Sequence, residues 1–430
     1  MNENSKIFKE FVGPQGQKRV VKAVPESDLD AYLDCYLNAY PQGKSQGDDG
    51  REKYGPRIIN SMRNDKGINF YGLYEEGKII ATMKLIDFDI NLFGEMRKSV
   101  GVMALAVHPL HKKKGAAKNM IEFSEYYAKA SGAILNMLLP FRIDFYKSMG
   151  YGYGTKINEY TLDTASLPKH DYSHLRFVDI HKEYDALIQC YKDYVHSYHG
   201  MVYKFEDELR DIDGDSDTRR FGYYDENGQM KGYVAFDFEA DSDENYTINY
   251  MNVKELVYSD KEVLAELLGG LQAQADLAQR LVIRSGEADF TYVFPNCQST
   301  NRGYIDFGFM ETNLQAVGTM YKISDLKAFV QGTEHRKFLT HDRKLKFVIY
   351  DEFKHREFEQ AVEFKNGHWY PCDAADEYVK GNLSDISALL MGSCDFGALA
   401  RLGVLETNGD EDIMDALFHV SQKPFTNTDY

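Results

Sequence analysis

Apolar residues in this chain fall at two spacings, short alternating or continuous runs and longer stretches with helical recurrence. Ser27 opens an S-x-x-D pattern with Asp30, a capping-box variant, ahead of Leu29, Tyr32, Leu33 and Tyr36 at helical spacing. This predicts a first helix that stops near Pro41. After the polar loop QGKSQGDDG, a second helix carries Tyr54, Ile58, Ile59 and Met62. Strands are predicted at Phe70–Tyr74 and Lys78–Asp89, about the turn Glu75-Glu76-Gly77. An apolar run, Val100 to Val107, is closed by His108-Pro109 and followed by the basic turn Lys112-Lys113-Lys114-Gly115. A helical pattern follows at once, with Ala117, Met120, Ile121, Ser124 and Ala128 on one side. A strand from Ala133 to Leu139 ends at Pro140, and a short helix delivers Tyr146 just before Gly150-Tyr151. Tyr151–Asp163 reads as one more strand, and Ser166-Leu167-Pro168 ends the unit.

The same order of elements then returns. Helical segments are predicted at His181–Tyr198 and Tyr203–Asp211, and strands at Phe221–Tyr224, Gly232–Glu239 and Tyr246–Leu256. A helix over Lys261–Gln279 and a strand over Ala288–Phe294 follow, and Tyr304–Phe309 parallels Tyr146–Tyr151. One feature is missing. In place of the basic glycine turn the second copy has Val257-Tyr258-Ser259-Asp260-Lys261, with no glycine and an aspartate that repels phosphate. From about Asp325 the pattern changes to strands at Leu345–Tyr350, Arg356–Lys365 and Trp369–Cys372, with the turn Lys365-Asn366-Gly367. Helices at Ser384–Met391 and Phe396–Leu402, another reaching Val420, and an extended tail ending in Asp429 and Tyr430 complete the chain. The expected class is mixed α+β, in three units over 1–165, 166–322 and 323–430.

Composition narrows the class. At 430 residues the chain is too long for one core, and 43% hydrophobic with 27% charged residues is globular. No apolar run approaches the roughly 18 residues that span a bilayer, and MNENSKIFKEF lacks the regions of a signal peptide. A cytoplasmic protein is expected, without membrane partners. The five cysteines are scattered and form no CxxC pair, so neither a disulfide framework nor a metal site is indicated. A net charge of −17 argues against nucleic acid as partner and for attraction of polycations.

The chemistry is concentrated between Ser99 and Tyr151. A turn that enters a helix offers unpaired first-turn amides and the positive end of the helix dipole, which together suit a pyrophosphate. Gly115 lets the backbone approach, Ala116 and Ala117 are small, and Lys113 and Lys114 add charge. The turn Lys112-x-x-Gly115-x-Ala117 resembles the Q/R-x-x-G-x-G/A turn of the Gcn5-related N-acetyltransferases. The longer pattern LAVHPLHKKKG…FYKSMGYG, followed by a degenerate copy and an α+β tail unit, resembles the Eis family of that superfamily.

The resemblance implies an acetyltransferase domain, a non-functional acetyltransferase-like domain and a sterol-carrier-protein-like domain in that order, with acetyl-CoA as cofactor and assembly into homo-oligomers, hexamers in that family. It implies that Leu105, Ala106 and Val107 face the pantetheine arm as an exposed strand. Lys113, Lys114, Gly115, Ala116, Ala117 and Lys118 would hold the pyrophosphate, and Phe141 and Arg142 would lie beside the cofactor. Tyr146 matches the general acid, and Tyr430 the residue whose terminal carboxylate is the general base. A phenol with an ordinary pKa near 10 stays protonated at neutral pH and can donate, and a carboxylate beside an ammonium can accept. Lysines stand where the family usually has arginines, so bidentate phosphate contacts are lost and backbone donors carry more of the binding. Asp429, Asp48 and Asp49 are candidates for drawing in a cationic amine such as an aminoglycoside or polyamine. The rival expectation is a carrier of an apolar ligand in the tail unit, with the acetyltransferase-like parts as scaffold.

Overall fold

A computed structural model describes residues 6–40, 48–242, 244–245, 248–339 and 341–428. The first sheet contains β1 (Lys9–Val12), β2 (Lys18–Ala23), β3 (Ile68–Glu75), β4 (Lys78–Leu92), β5 (Glu95–Val107) and β6 (Leu135–Leu138), side by side in that order. A seventh strand, Met320–Lys322, closes the far edge against β6. All neighbours are antiparallel except β5 and β6. Alternation along β4 sends Ile86, Phe88 and Ile90 to one face and Met83 and Leu85 to the other. Helices α1 (Leu29–Ala39) and α2 (Asp48–Asn64) cover the first face, and α3 (Ala116–Ser131) covers the second. A short helix, α4 (Ile143–Lys147), follows β6. The expected Ser27–Asp30 cap does not form. A 3-10 turn over Glu26–Asp28 leads into α1, and Ser27 Oγ donates to Asp28 instead.

The second sheet repeats this plan with β7 (Lys156–Asp163), β8 (Leu175–Phe177), β9 (Arg219–Tyr224), β10 (Met230–Ala240), β11 (Asn249–Tyr258) and β12 (Arg280–Ser285). Its spatial order is Leu314–Val317, β7, β12, β11, β10, β9, β8, and only β11 and β12 run parallel. Helices α5 (Ile180–Ser197), α6 (Glu206–Gly214) and α7 (Lys261–Gln272) belong to this copy. The helix expected to reach Gln279 ends at Gln272, and the strand expected over 288–294 is β12, with a 3-10 turn at Phe290–Val293 in its place. Leu281 and Ile283, alternate residues of that strand, are fully buried. Helical periodicity had absorbed the stretch leading into them.

The closing strands are exchanged. The segment expected as one strand from Tyr151 begins as a strand only at Lys156 and pairs with β12 in the second sheet, while Met320–Lys322 returns to finish the first. Between them the two segments cross, with Gly152 and Tyr321 exchanging backbone hydrogen bonds of 2.7 and 3.1 Å. A β-carbon at Gly154 would lie 1.5 Å from the Thr319 carbonyl oxygen, so only glycine permits this crossing.

The last third forms a five-stranded sheet in the order His368–Cys372, Arg356–Lys365, Arg343–Asp351, Glu377–Asn382, Glu406–Thr407. The strand Glu377–Asn382 had no counterpart in the sequence reading. Phe347, Phe364, Trp369, Leu389, Met414 and Phe418 are fully buried in its interior and share one core with the α1 face of the first sheet. Among the described residues no helix is long and apolar enough to cross a membrane.

Candidate active site

Strands β5 and β6 part company. Their register runs from Ser99 opposite Leu135 to Gly101 opposite Met137, and among the described residues the edge of β5 from Val102 to Val107 then has no strand partner on that side. On its other side β5 bulges against β4, and Ala104 takes φ +51°. Leu105 and Ala106 are buried, and Tyr40 Oη donates to the Leu105 carbonyl at 3.0 Å. The backbone expected to face the pantetheine arm is thus held open at its edge and braced from behind.

The basic turn follows a 3-10 turn at Pro109–His111. Lys113 and Gly115 take φ +61° and +80°, and Gly115 is the N-cap of α3 without a side chain to cap it. The first helical bond runs from Asn119 N–H to the Gly115 carbonyl at 3.0 Å. Among the described residues, the backbone amides from Lys113 to Lys118 have no acceptor. Lys113, Lys114 and Lys118 are exposed around them. Unpaired amides, a helix N-terminus and exposed cationic side chains fit a pyrophosphate.

Arg19, which the sequence reading passed over, braces this turn from beneath. Almost wholly buried on β2, it donates from Nη1 to the Lys114 carbonyl at 2.9 Å and to Asn119 Oδ1 at 3.1 Å. Glu75 accepts from its Nε at 2.6 Å, so the buried charge is paired. The one signal for it was an arginine at an inward position of the alternating run KRVVKA.

Tyr146 is 4% exposed on α4, edge-on to Phe141 at 5.6 Å and to Tyr151 at 5.9 Å. Burial pushes its phenol well above the ordinary value, and nearby Tyr40 adds a smaller push. Its hydroxyl makes no hydrogen bond to another described residue. Phe141 is 70% exposed, a ring open to a cofactor. Arg142, also exposed, is committed to Asp144 through bonds of 2.7 and 2.8 Å.

A cleft of about 740 Å³ lies between the two copies, and Met103 and Ala104 of the β5 bulge are part of its wall. One side is aromatic, with Tyr32, Tyr36, Tyr54 and Phe70 from the first copy. The other carries seven carboxylates from α6 to β11, among them Asp207, Asp217, Asp237 and Glu255, against five cations around the whole cleft. Several are paired: Lys84 holds Asp207 at 2.7 Å, and Lys204 sits between Glu208 and Glu255 at 2.6 and 2.8 Å. These acids come from far along the sequence, and no local pattern marked them. Asp49 is exposed at the start of α2 and is not part of the cleft wall. The Asp48 side chain, Asp429 and Tyr430 lie outside the described residues. The tail that leads toward Tyr430 is anchored as far as Thr428. Phe425 N–H donates to the His199 carbonyl at 3.2 Å, Thr428 is buried beside Tyr191, and Asn427 lines the cleft.

A strand that splays from its parallel neighbour at a bulge and runs into an amide-lined turn at a helix N-terminus defines an acyl-CoA-type transferase. Residues 20–154 and 200–320 each match a family model described as acetyltransferase (GNAT) domain. Together they cover more than half of the chain, which belongs to the GNAT acetyltransferases and is Eis-like in fold. Eis1 from Mycobacterium abscessus superposes with a TM-score of 0.74 at 15% identity, covering 96% of this chain and all of that one. A probable N-acyltransferase of unknown function from Enterococcus faecalis V583 gives 0.74 at 16%, covering 99% and 100%. A GCN5-related N-acetyltransferase from Anabaena variabilis gives 0.77 at 13%, covering 98% and 99%. By sequence, no curated protein matches the chain. The C-terminal third, which lies beyond both matched segments, has the mixed α+β character expected of it.

Proposed function

We propose that the chain acetylates the primary amine of a cationic small molecule, aminoglycoside- or polyamine-like, or of a lysine side chain, by direct transfer in a ternary complex. The observation that carries this reading is the acid-rich cleft that meets the β5 bulge, where seven carboxylates outnumber five cations among the described lining residues. GNAT domains use acetyl-CoA, whose thioester supplies the acetyl group. Here its pyrophosphate would be held by the amides of Lys113, Lys114, Gly115, Ala116, Ala117 and Lys118. Leu105, Ala106 and Val107 would flank the pantetheine arm, with Phe141 and Arg142 beside it.

Tyr146 holds on its hydroxyl the proton that the departing sulfur takes as the carbon–sulfur bond breaks. The carboxylate of Tyr430 receives the proton that the amine gives up as its bond to carbon forms. Support for the second role is the buried tail, which sets Asn427 against the cleft with three residues to go. The units 1–165, 166–322 and 323–430, the first two exchanging β7 and Met320–Lys322 between their sheets, then act as cofactor platform, acceptor wall and support, the last of them sterol-carrier-like. Tyr146→Phe and deletion of Tyr430 test the assignment. Each is expected to lower kcat by roughly 10²-fold with acetyl-CoA binding retained, read by CoA release over a panel of amines. Full turnover in either folded variant removes that residue's role.

A further inference from the structure

We infer that Lys322 is a positioning residue for Tyr146, so that the exchanged strand and the C-terminal third act on the reaction through the helix bearing the phenol. This rests on the reading of Tyr146 as the proton donor. Lys322 lies on the closing strand of the first sheet and is fully buried. Its Nζ donates to the Met149 carbonyl at 2.5 Å and to Glu125 Oε1. Met149 N–H in turn donates to the Tyr146 carbonyl at 3.0 Å, as Tyr151 N–H does at 3.1 Å. The ammonium also lies 5.7 Å from the ring of Tyr151, which with Phe141 and Phe145 flanks the phenol ring edge-on. Lys322 therefore touches both the turn that ends the phenol's helix and a ring beside the phenol.

The C-terminal third grips the same turn from the other side. A β-carbon at Gly150 would meet Leu383 Cδ2 at 3.0 Å and Lys322 Cε at 3.1 Å. Lys147, the last residue of α4, pairs with Asp385 at 3.2 Å. Glu125, on α3, accepts from Lys322 and from Lys354 of the C-terminal sheet's hairpin. Since α3 also carries the amides of the cofactor turn, one buried carboxylate ties the cofactor helix to the acid helix. Burial lowers the Lys322 pKa while Glu125 pulls it upward. Buried charge is a poor means of gaining stability, since an apolar side chain of similar length packs as well or better. What the ammonium adds is direction: it fixes one carbonyl at one angle relative to α3, which catalysis by a positioned proton donor requires.

Lys322→Met, assayed with acetyl-CoA and the best amine of the panel, is expected to lower kcat between tenfold and a hundredfold, on the order of the cost of a small misplacement. Both KM values and the calorimetric Kd for acetyl-CoA are expected to stay within about twofold. In a Tyr146→Phe background the same substitution is expected to cost nothing further, because it acts through the phenol. If Lys322→Met does not fold, the partly exposed Lys354→Met and Lys147→Met cut the same clasp and are expected to show smaller losses that also vanish in that background. Unchanged kcat, or equal losses with and without the phenol, overturns the inference. Full kcat in Tyr146→Phe alone overturns the acid reading and this inference with it, whereas a low kcat there with additive losses overturns this inference only.

Discussion

The starts of α3 and α7 occupy equivalent places in the two copies, and they treat their free amides in opposite ways. At α3 the cap is Gly115, bare and left-handed, and six successive amides have no acceptor among the described residues. At α7 the cap is Asp260, whose carboxylate accepts from Val263 N–H at 3.0 Å and from Ser259 Oγ at 2.7 Å. Burial opposes the charge there, yet these donors hold the carboxyl below its usual range. One backbone geometry thus serves two ends. Filled by the chain's own carboxylate it is a cap that stabilises a helix, and left empty it is a receptor for an anion. The copies also diverge downstream, where α4 with its buried phenol corresponds to a hairpin on which Tyr304, Ile305, Phe309 and Met310 are exposed.

Gly115→Asp would turn the first site into the second. A carboxylate over the amides blocks at least two hydrogen bonds to phosphate, each worth about 1.5–3 kcal/mol, so acetyl-CoA affinity is expected to fall by roughly 10²–10⁴-fold. Calorimetry reads this directly, and unchanged affinity would break the comparison. A smaller effect is expected from Lys113→Ala with Lys114→Ala, because the amides remain. Affinity should fall by about tenfold at low salt and the difference should shrink as salt rises. Asp260→Ala sharpens the other side. It is expected to cost about 1 kcal/mol of stability in denaturant titration and to leave kcat and both KM values untouched.

Much of the first site was readable because it is local. Turn, helix, and phenol lie within about fifty residues, and the glycine and lysines announce themselves at fixed offsets from an apolar run. Arg19 was not, since its partners at Lys114 and Asn119 are set by sheet packing across about a hundred residues. The cleft acids escaped for the same reason: Asp207 meets Lys84 only because the two copies face one another. Alternation along β7 correctly marked a strand but carries no information about which sheet receives it. The failed cap at Ser27 shows a motif outweighed by tertiary structure, with Asp28 bonded instead to Tyr74 Oη at 2.8 Å.

The exchange of closing strands has a consequence in time. During synthesis β6 emerges with one edge bare, and its partner at Met320 follows about 180 residues later. At ~5–20 residues per second that delay is roughly 10–40 s. Throughout it the nascent first sheet presents an unpaired edge, the usual template for wrong pairing. β6 is only four residues long, Leu135–Leu138, which keeps that edge short while the ribosome finishes the rest.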